Sequence, residues 1–339
     1  MDYDGAEKGR FLRTIVFVLS LPIANWASLP RCQRYLLMIM ADTPRKLMIV
    51  ADDFGIGPDT DRGILEVGLA GRLTATVLLV NTPYCEAAVE SWNDAGRPFV
   101  VGWHPNLTLD SPILPAKDVP SLVQPDGRFW PLGQFLKRAM RGKLNIVEIA
   151  AELAAQHQRF IELIGHPPRV VNSHQHTSIF EPVRSTLIDL LARQKGPKPY
   201  LRRVQEQKAL LLGIPGARIK RTLLTHFGKK AAIAAEAKGL PGAEWLIGVT
   251  DPPCTADEKF WTRWLRKVRG DFVELGCHPG YSDATLLVRD VPGKKYDLIR
   301  REHEMRLLLR DDFTTAINEC HFEMVSPREY QSLRLAQAA

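Results

Sequence analysis

The chain has 339 residues, 45% of them hydrophobic and 24% charged, the balance of a globular protein with a sizeable core, which excludes a disordered or fibrous class. Its formal net charge is +7. Without a long basic run or a helix-turn-helix or RNA-binding signature, that charge predicts a solvated basic surface and no nucleic-acid partner, although such a surface can also meet anionic lipid or an acidic polymer.

Residues 1–44 read as an extension outside the core. Thr14 to Ala24 is apolar and follows Arg13, but it is short and interrupted by Pro22 and by Asn25 just beyond it, so it does not suit a bilayer span. One reading is a weak signal or interfacial anchor that would associate the protein with a membrane. The preferred one is a start assigned too early, with Met38 or Met40 as the alternative. Residues 45–330 form one domain and 331–339 a tail. Cys32, Cys85, Cys254, Cys277 and Cys320 are scattered and contain no Cys-x-x-Cys pair. That spacing predicts neither a disulfide framework nor a zinc ribbon, and it fits reduced thiols in a cytoplasmic protein.

The first core element is Lys46-Leu47-Met48-Ile49-Val50-Ala51, an apolar run that suits a buried parallel strand and stops at Asp52 and Asp53. Phe54 to Pro58 breaks it, and a helix follows from about Asp61 to Leu69. Leu73 to Val80 is a second strand, residues 81–93 a helix, and Phe99 to His104 a third strand. Strand, helix, strand at this rhythm predicts right-handed βαβ units and a parallel sheet. The proline-rich residues 105–132 read as a long loop over one face. Leu132 to Ile164 reads as helix, Arg169 to His174 as a strand, Glu181 to Gln194 as helix and Pro199 to Arg203 as a short strand. Helix is expected over Lys229–Ala237, Asp257–Val268 and Asp297–Leu309, continuing towards Asn318. Strands are expected over Trp245–Val249, Phe272–His278 and His321–Val325.

Adjacent carboxylates at a strand end repel unless a cation lies between them, and α/β folds gather their chemistry at the carboxyl ends of strands. Three apolar runs end in ligand types: Asp53, His104 and His174. Taken alone, each of these histidines reads first as a satisfied structural residue, but their shared position at strand ends favours a metal. A carboxylate with two imidazoles leaves coordination positions open for water and substrate.

The segments Ala51-Asp52-Asp53-Phe54-Gly55, Gly102-Trp103-His104-Pro105-Asn106-Leu107-Thr108, Asn172-Ser173-His174-Gln175-His176 and Cys277-His278-Pro279-Gly280 together resemble the motifs of YdjC-like carbohydrate deacetylases. Trp103 and Pro105 stand where the family usually has leucines, and Asn172 and Ser178 where it usually has aspartate and histidine. The resemblance covers about residues 45–330. It implies a distorted (β/α) barrel of mostly parallel strands that removes the acetyl group from an N-acetylated amino sugar, either a chito-oligosaccharide or a lipid-linked N-acetylglucosamine. It also implies one divalent metal on Asp53, His104 and His174, with Zn²⁺ or Mg²⁺ first and Mn²⁺, Fe²⁺ or Co²⁺ as alternatives. Asp52 matches the general base, and His278 an acid or substrate-contact residue. Asn106, His176, Trp103 and Tyr281 are the expected substrate contacts, with Phe129 and Trp130 as further rings able to stack on sugar. A homodimer is compatible with these features, and so is peripheral membrane contact if the substrate is lipid-linked. The competing readings are another metal-assisted hydrolysis, of a phosphoester or a different amide, and a carbohydrate- or lipid-binding protein without turnover. No Gly-x-Ser-x-Gly elbow, P-loop or dinucleotide fingerprint is present.

Overall fold

A computed structural model describes residues 44–289 and 295–338. The expectations for the amino-terminal extension fall almost wholly outside these residues. Eight strands form one sheet: β1 (Arg45–Phe54), β2 (Ala75–Leu78), β3 (Val100–Trp103), β4 (Val170–Val171), β5 (Tyr200–Leu201), β6 (Trp245–Ile247), β7 (Phe272–Cys277) and β8 (Phe322–Met324). The order is β5-β4-β3-β2-β1-β7-β6, with β8 also on β1, and every pairing is parallel.

β1 is the longest strand, and both of its edges are in use. One edge pairs with β7 from Lys46 to Ala51. The other takes β8 near its start and β2 near its end. The sheet curls until its outer strands approach each other. Leu201 N–H donates to Pro241 C=O at 2.8 Å and Leu246 N–H to Gln205 C=O at 2.9 Å across the seam. The expected distorted barrel is therefore observed.

The helices that bear on the argument are α1 (Pro58–Leu69), α2 (Cys85–Asp94), α3 (Leu132–Met140), α4 (Ile146–Ile164), α5 (Val183–Ala192), α6 (Lys208–Gly213), α7 (Arg218–Ala237), α8 (Phe260–Lys267), α9 (Leu286–Arg289) and α10 (Lys295–Leu308). Two expectations need correction. The stretch from Leu132 to Ile164 is two helices, because Gly142 turns the chain with φ +62° and Asn145 caps α4 by accepting from Val147 N–H. Helix α7 begins at Arg218, eleven residues before the expected Lys229.

Alternation along the strands sorts the core. Leu47, Ile49 and Ala51 face the helices within the main cluster. Met48 and Val50 join Ala75, Val77, Val170, Tyr200 and Phe272 in a second cluster. Members drawn from five strands meet only on the concave side, so this cluster floors the barrel interior. The next inward-facing layer is polar, and it is the floor of the site.

Candidate metal centre and active site

On a regular strand Asp52 and Asp53 would point to opposite faces. Here the β1–β2 register slips between Ala51 and Phe54, and Asp53 takes φ +70°. This left-handed bulge turns both carboxylates into one cavity. Gly55 then leaves the strand with φ +83°, where an added Cβ would lie 3.2 Å from Cys85 Cα and 3.3 Å from the Leu79 carbonyl. The buried Asp61 carboxylate accepts from Gly55 N–H at 2.6 Å and fixes this turn.

His104 lies one residue beyond β3, and its N–H donates to Leu78 C=O. His174 is not at a strand end as expected. It begins the short 3₁₀ segment His174–Ile179, three residues past β4, and Gln175 and His176 follow with φ +53° and +57°. Such backbone costs about 1–3 kcal/mol per residue and persists only where its surroundings enforce it.

Asp53, His104 and His174 are buried and converge. Asp53 Oδ1 lies 3.0 Å from His174 Nδ1 and 3.4 Å from His104 Nε2, and one donor atom from each residue lies within 4.8 Å of the others. Donors bound at about 2.0–2.2 Å to one ion stand roughly this far apart. His104 Nδ1 is 2.7 Å from Asn172 C=O, which fixes that nitrogen as the N–H and turns the Nε2 lone pair to the cavity. Arg301 donates to Asp53 Oδ2 at 2.6 Å. Burial would raise the Asp53 carboxyl, but Arg301 and the two histidines outweigh it and hold it well below the usual carboxylate range. The donor set therefore fits a divalent cation of borderline or hard character.

Asp52 sits deeper among charges. Arg202 grips it with two hydrogen bonds of 2.5 and 2.8 Å, and Asn172 Nδ2 adds a third of 3.2 Å. Arg202 also donates through Nε to Glu274 at 2.6 Å, and Tyr200 hydroxyl donates to the same carboxylate at 2.5 Å. Gly276 clears the space, since a Cβ there would lie 3.3 Å from Arg202 Nη2. Burial opposes the charge on Asp52, yet the Arg202 guanidinium prevails and holds the carboxyl far below its ordinary value. Glu274 keeps a raised carboxyl pKa because burial outweighs Arg202 there.

His278 follows β7 and is partly exposed to the cavity. Its Nε2 lies 3.9 Å from Asp52 Oδ2, and Arg300 Nη2 is 3.0 Å from its Nδ1. Burial and then the Arg300 charge push its pKa well below the usual imidazole value. His176, half-buried on the same wall, is pushed down to about 3 by burial and the Arg202 charge. The cavity, about 670 Å³, is also lined by Leu132, Leu136, Ile219 and Leu223.

Three expected contacts lie elsewhere. Trp103 is fully buried in the main core. Asn106 is buried and ties its own loop through Leu109 C=O and Asn81. Tyr281 donates to Glu66 beside α1 and stacks under Arg62. Phe129 is likewise core, and Trp130 packs under Arg138. Among the described residues, none of these five lines the cavity. Sequence reasoning missed Arg202, Glu274, Arg300 and Arg301. The one available signal was the short strand expected to end at Arg203, which puts Arg202 at a strand's carboxyl end.

The model of the YdjC-like protein family matches residues 46–319. The chain is 31% identical to a chitooligosaccharide deacetylase of Klebsiella pneumoniae over 247 residues, which is 72% of this chain and 84% of that protein. It is 28% identical to a carbohydrate deacetylase of Enterococcus faecalis over 71% of this chain and 83% of the relative. A carbohydrate deacetylase of Mus musculus is 36% identical over 43% of this chain, a match that spans about half of the mouse protein, 47%. A crystal structure from Enterococcus faecalis, described as a candidate cellobiose-phosphate cleavage protein, superposes with a TM-score of 0.69 at 24% identity. It covers 85% of this chain and 99% of that one, a likeness of fold.

Proposed function

This chain belongs to the YdjC-like protein family, and from that premise we propose that it is a metal-dependent hydrolase that removes the acetyl group from an N-acetylated amino sugar and releases acetate. The observation that carries the reading is the convergence of Asp53, His104 and His174 on one cavity, with Asp52 and His278 beside them. A divalent ion bound there would polarise the acetyl carbonyl and acidify the attacking water.

The chain's own groups supply the rest. Arg202 favours the ionised form of Asp52, and its fork fixes the carboxylate's orientation, so Asp52 is the proposed acceptor of a proton from water. His278 lines the same cavity 3.9 Å from Asp52 and is the proposed carrier of a proton to the leaving nitrogen. Burial and Arg300 lower its pKa, so the imidazole is neutral at rest and would donate only after taking up the proton that Asp52, 3.9 Å away, removes from water. His176 is the proposed polar contact to the sugar, and the aliphatic wall takes the acetyl methyl or an apolar sugar face.

The test separates the two neighbouring acids. Asp52→Asn should keep its metal and lose about 10²–10⁴-fold in acetate release from N-acetylglucosamine oligomers. Asp53→Asn should lose metal first and recover part of its activity in excess metal. Chelation should silence the parent. Full turnover by Asp52→Asn would remove it as the base, and undiminished metal in Asp53→Asn would remove the ligand assignment.

A further inference from the structure

Two segments frame the cavity: α3 with the turn into α4, and α6 with α7. Leu132 and Leu136 of the first and Ile219 and Leu223 of the second line the cavity wall. Beyond these wall residues, the same segments carry large aliphatic side chains in full view of solvent. Met140 is 81% exposed, Val147 69%, Leu212 77% and Ile233 68%. On α7 the exposed positions Ile219, Leu223, His226, Lys230 and Ile233 recur every three or four residues, which makes one stripe about 20 Å long.

The charge of the same segments is one-sided. Residues 128–147 contain five cations and no Asp or Glu, and α6 with α7 contains six cations, of which Arg221 is buried on Glu206, against one acid, Glu236 in the last turn of α7. Elsewhere the chain mixes the two signs, with 45 basic and 38 acidic residues in all. Lys137, Arg141 and Lys143 flank the first aliphatic group, and Arg218, Lys229 and Lys230 flank the second. All six are exposed.

Exposed aliphatics set in a field dominated by Lys and Arg form the pattern of a helix that lies in a headgroup layer. We propose that this rim docks on an anionic lipid surface and turns the cavity mouth towards the bilayer. The aliphatic groups enter the headgroup–acyl boundary while the cations meet lipid phosphate. No described helix is long and apolar enough to cross a membrane, and the contact proposed for this rim is peripheral. This inference does not depend on the chemistry assigned to the site.

Flotation of the full chain tests it, with vesicles of phosphatidylcholine alone and of phosphatidylcholine with about one third phosphatidylglycerol. The parent should partition at least about tenfold more strongly to the anionic vesicles, and high salt should weaken that preference. The triple variant Met140→Glu, Leu212→Glu, Ile233→Glu lies off the cavity wall. It should fall to the level seen with neutral vesicles while its thermal unfolding matches the parent. Three results would overturn the proposal. The parent could fail to float with anionic vesicles. The variant could float as well as the parent, which would put the anchor elsewhere, such as in residues 1–43. Or sedimentation could find a parent dimer that the variant breaks, with no lipid binding by either, which would make this face a contact between copies.

Discussion

A single guanidinium, that of Arg202, joins Asp52 to Glu274 inside the barrel. Removing one member of such a buried network strands charges, and losses of about 3–5 kcal/mol are typical. Arg202→Lys should show most of that loss in urea unfolding, because an ammonium cannot reproduce the fork. The pH dependence has a definite sign. Asp52 is depressed in the folded chain, so its contribution is fully present above the ordinary carboxylate value of about 4 and fades as pH falls below it. The stability gap between parent and Arg202→Lys should therefore be widest near neutrality and narrow below about pH 4. A gap independent of pH would mean that Asp52 gains nothing from the clamp. These arginines were not legible in the sequence for a physical reason. An apolar run that stops at Asp or His announces a special position, whereas a lone arginine is as a rule solvated, and its role here depends on partners 150 and 248 positions away.

Among the elements, helix α7 shows how close packing places one wall of the cavity. Its Gly228 passes so near the chain after β5 that an added Cβ would lie 1.6 Å from Val204 C=O. Gly228→Ala should destabilise the protein by about 1–3 kcal/mol or more and shift Ile219 and Leu223 on the cavity wall. Thermal unfolding and KM for the oligomer would read the two effects, and an unchanged Tm would show that the helix can slide without cost. Strands β1, β2, β3 and β7 were legible because buried parallel strands are continuous apolar runs of characteristic length. The break between α3 and α4 was not, since a glycine within an apolar periodic stretch is compatible with continued helix until its φ is seen. The bulge at Asp53 was equally invisible: two adjacent acids read the same whether they face one way or opposite ways. Trp103 and Asn106 stand in the motif around His104, but proximity in sequence does not fix facing. Trp103 pairs in β3 and turns to the helices, while Asn106 closes its own loop.

At the scale of the whole molecule, the resemblance and the parallel rhythm together made the barrel legible, because four ordered motifs constrain where strand ends can meet. What neither could give was how the barrel is closed and which edge of β1 each late strand takes. That double use of β1 has a consequence in time. Val50 in β1 accepts from the thiol of Cys277 in β7, 227 positions away, so at about 5–20 residues per second a nascent β1 waits roughly 10–45 s for its edge to be covered. Throughout that interval a long apolar strand presents unpaired amides, the setting in which chains associate wrongly. Arg301, which donates to Asp53, arrives later still. Ribosome-held chains ending at Val268 should therefore be cut readily by protease and take up no metal, with protection arising only after β7 and β8 have left the exit tunnel. Full protection at Val268 would mean that the first half of the barrel closes alone. If it does not, the yield of active protein is decided by chaperone occupancy during synthesis more than by the stability of the finished fold.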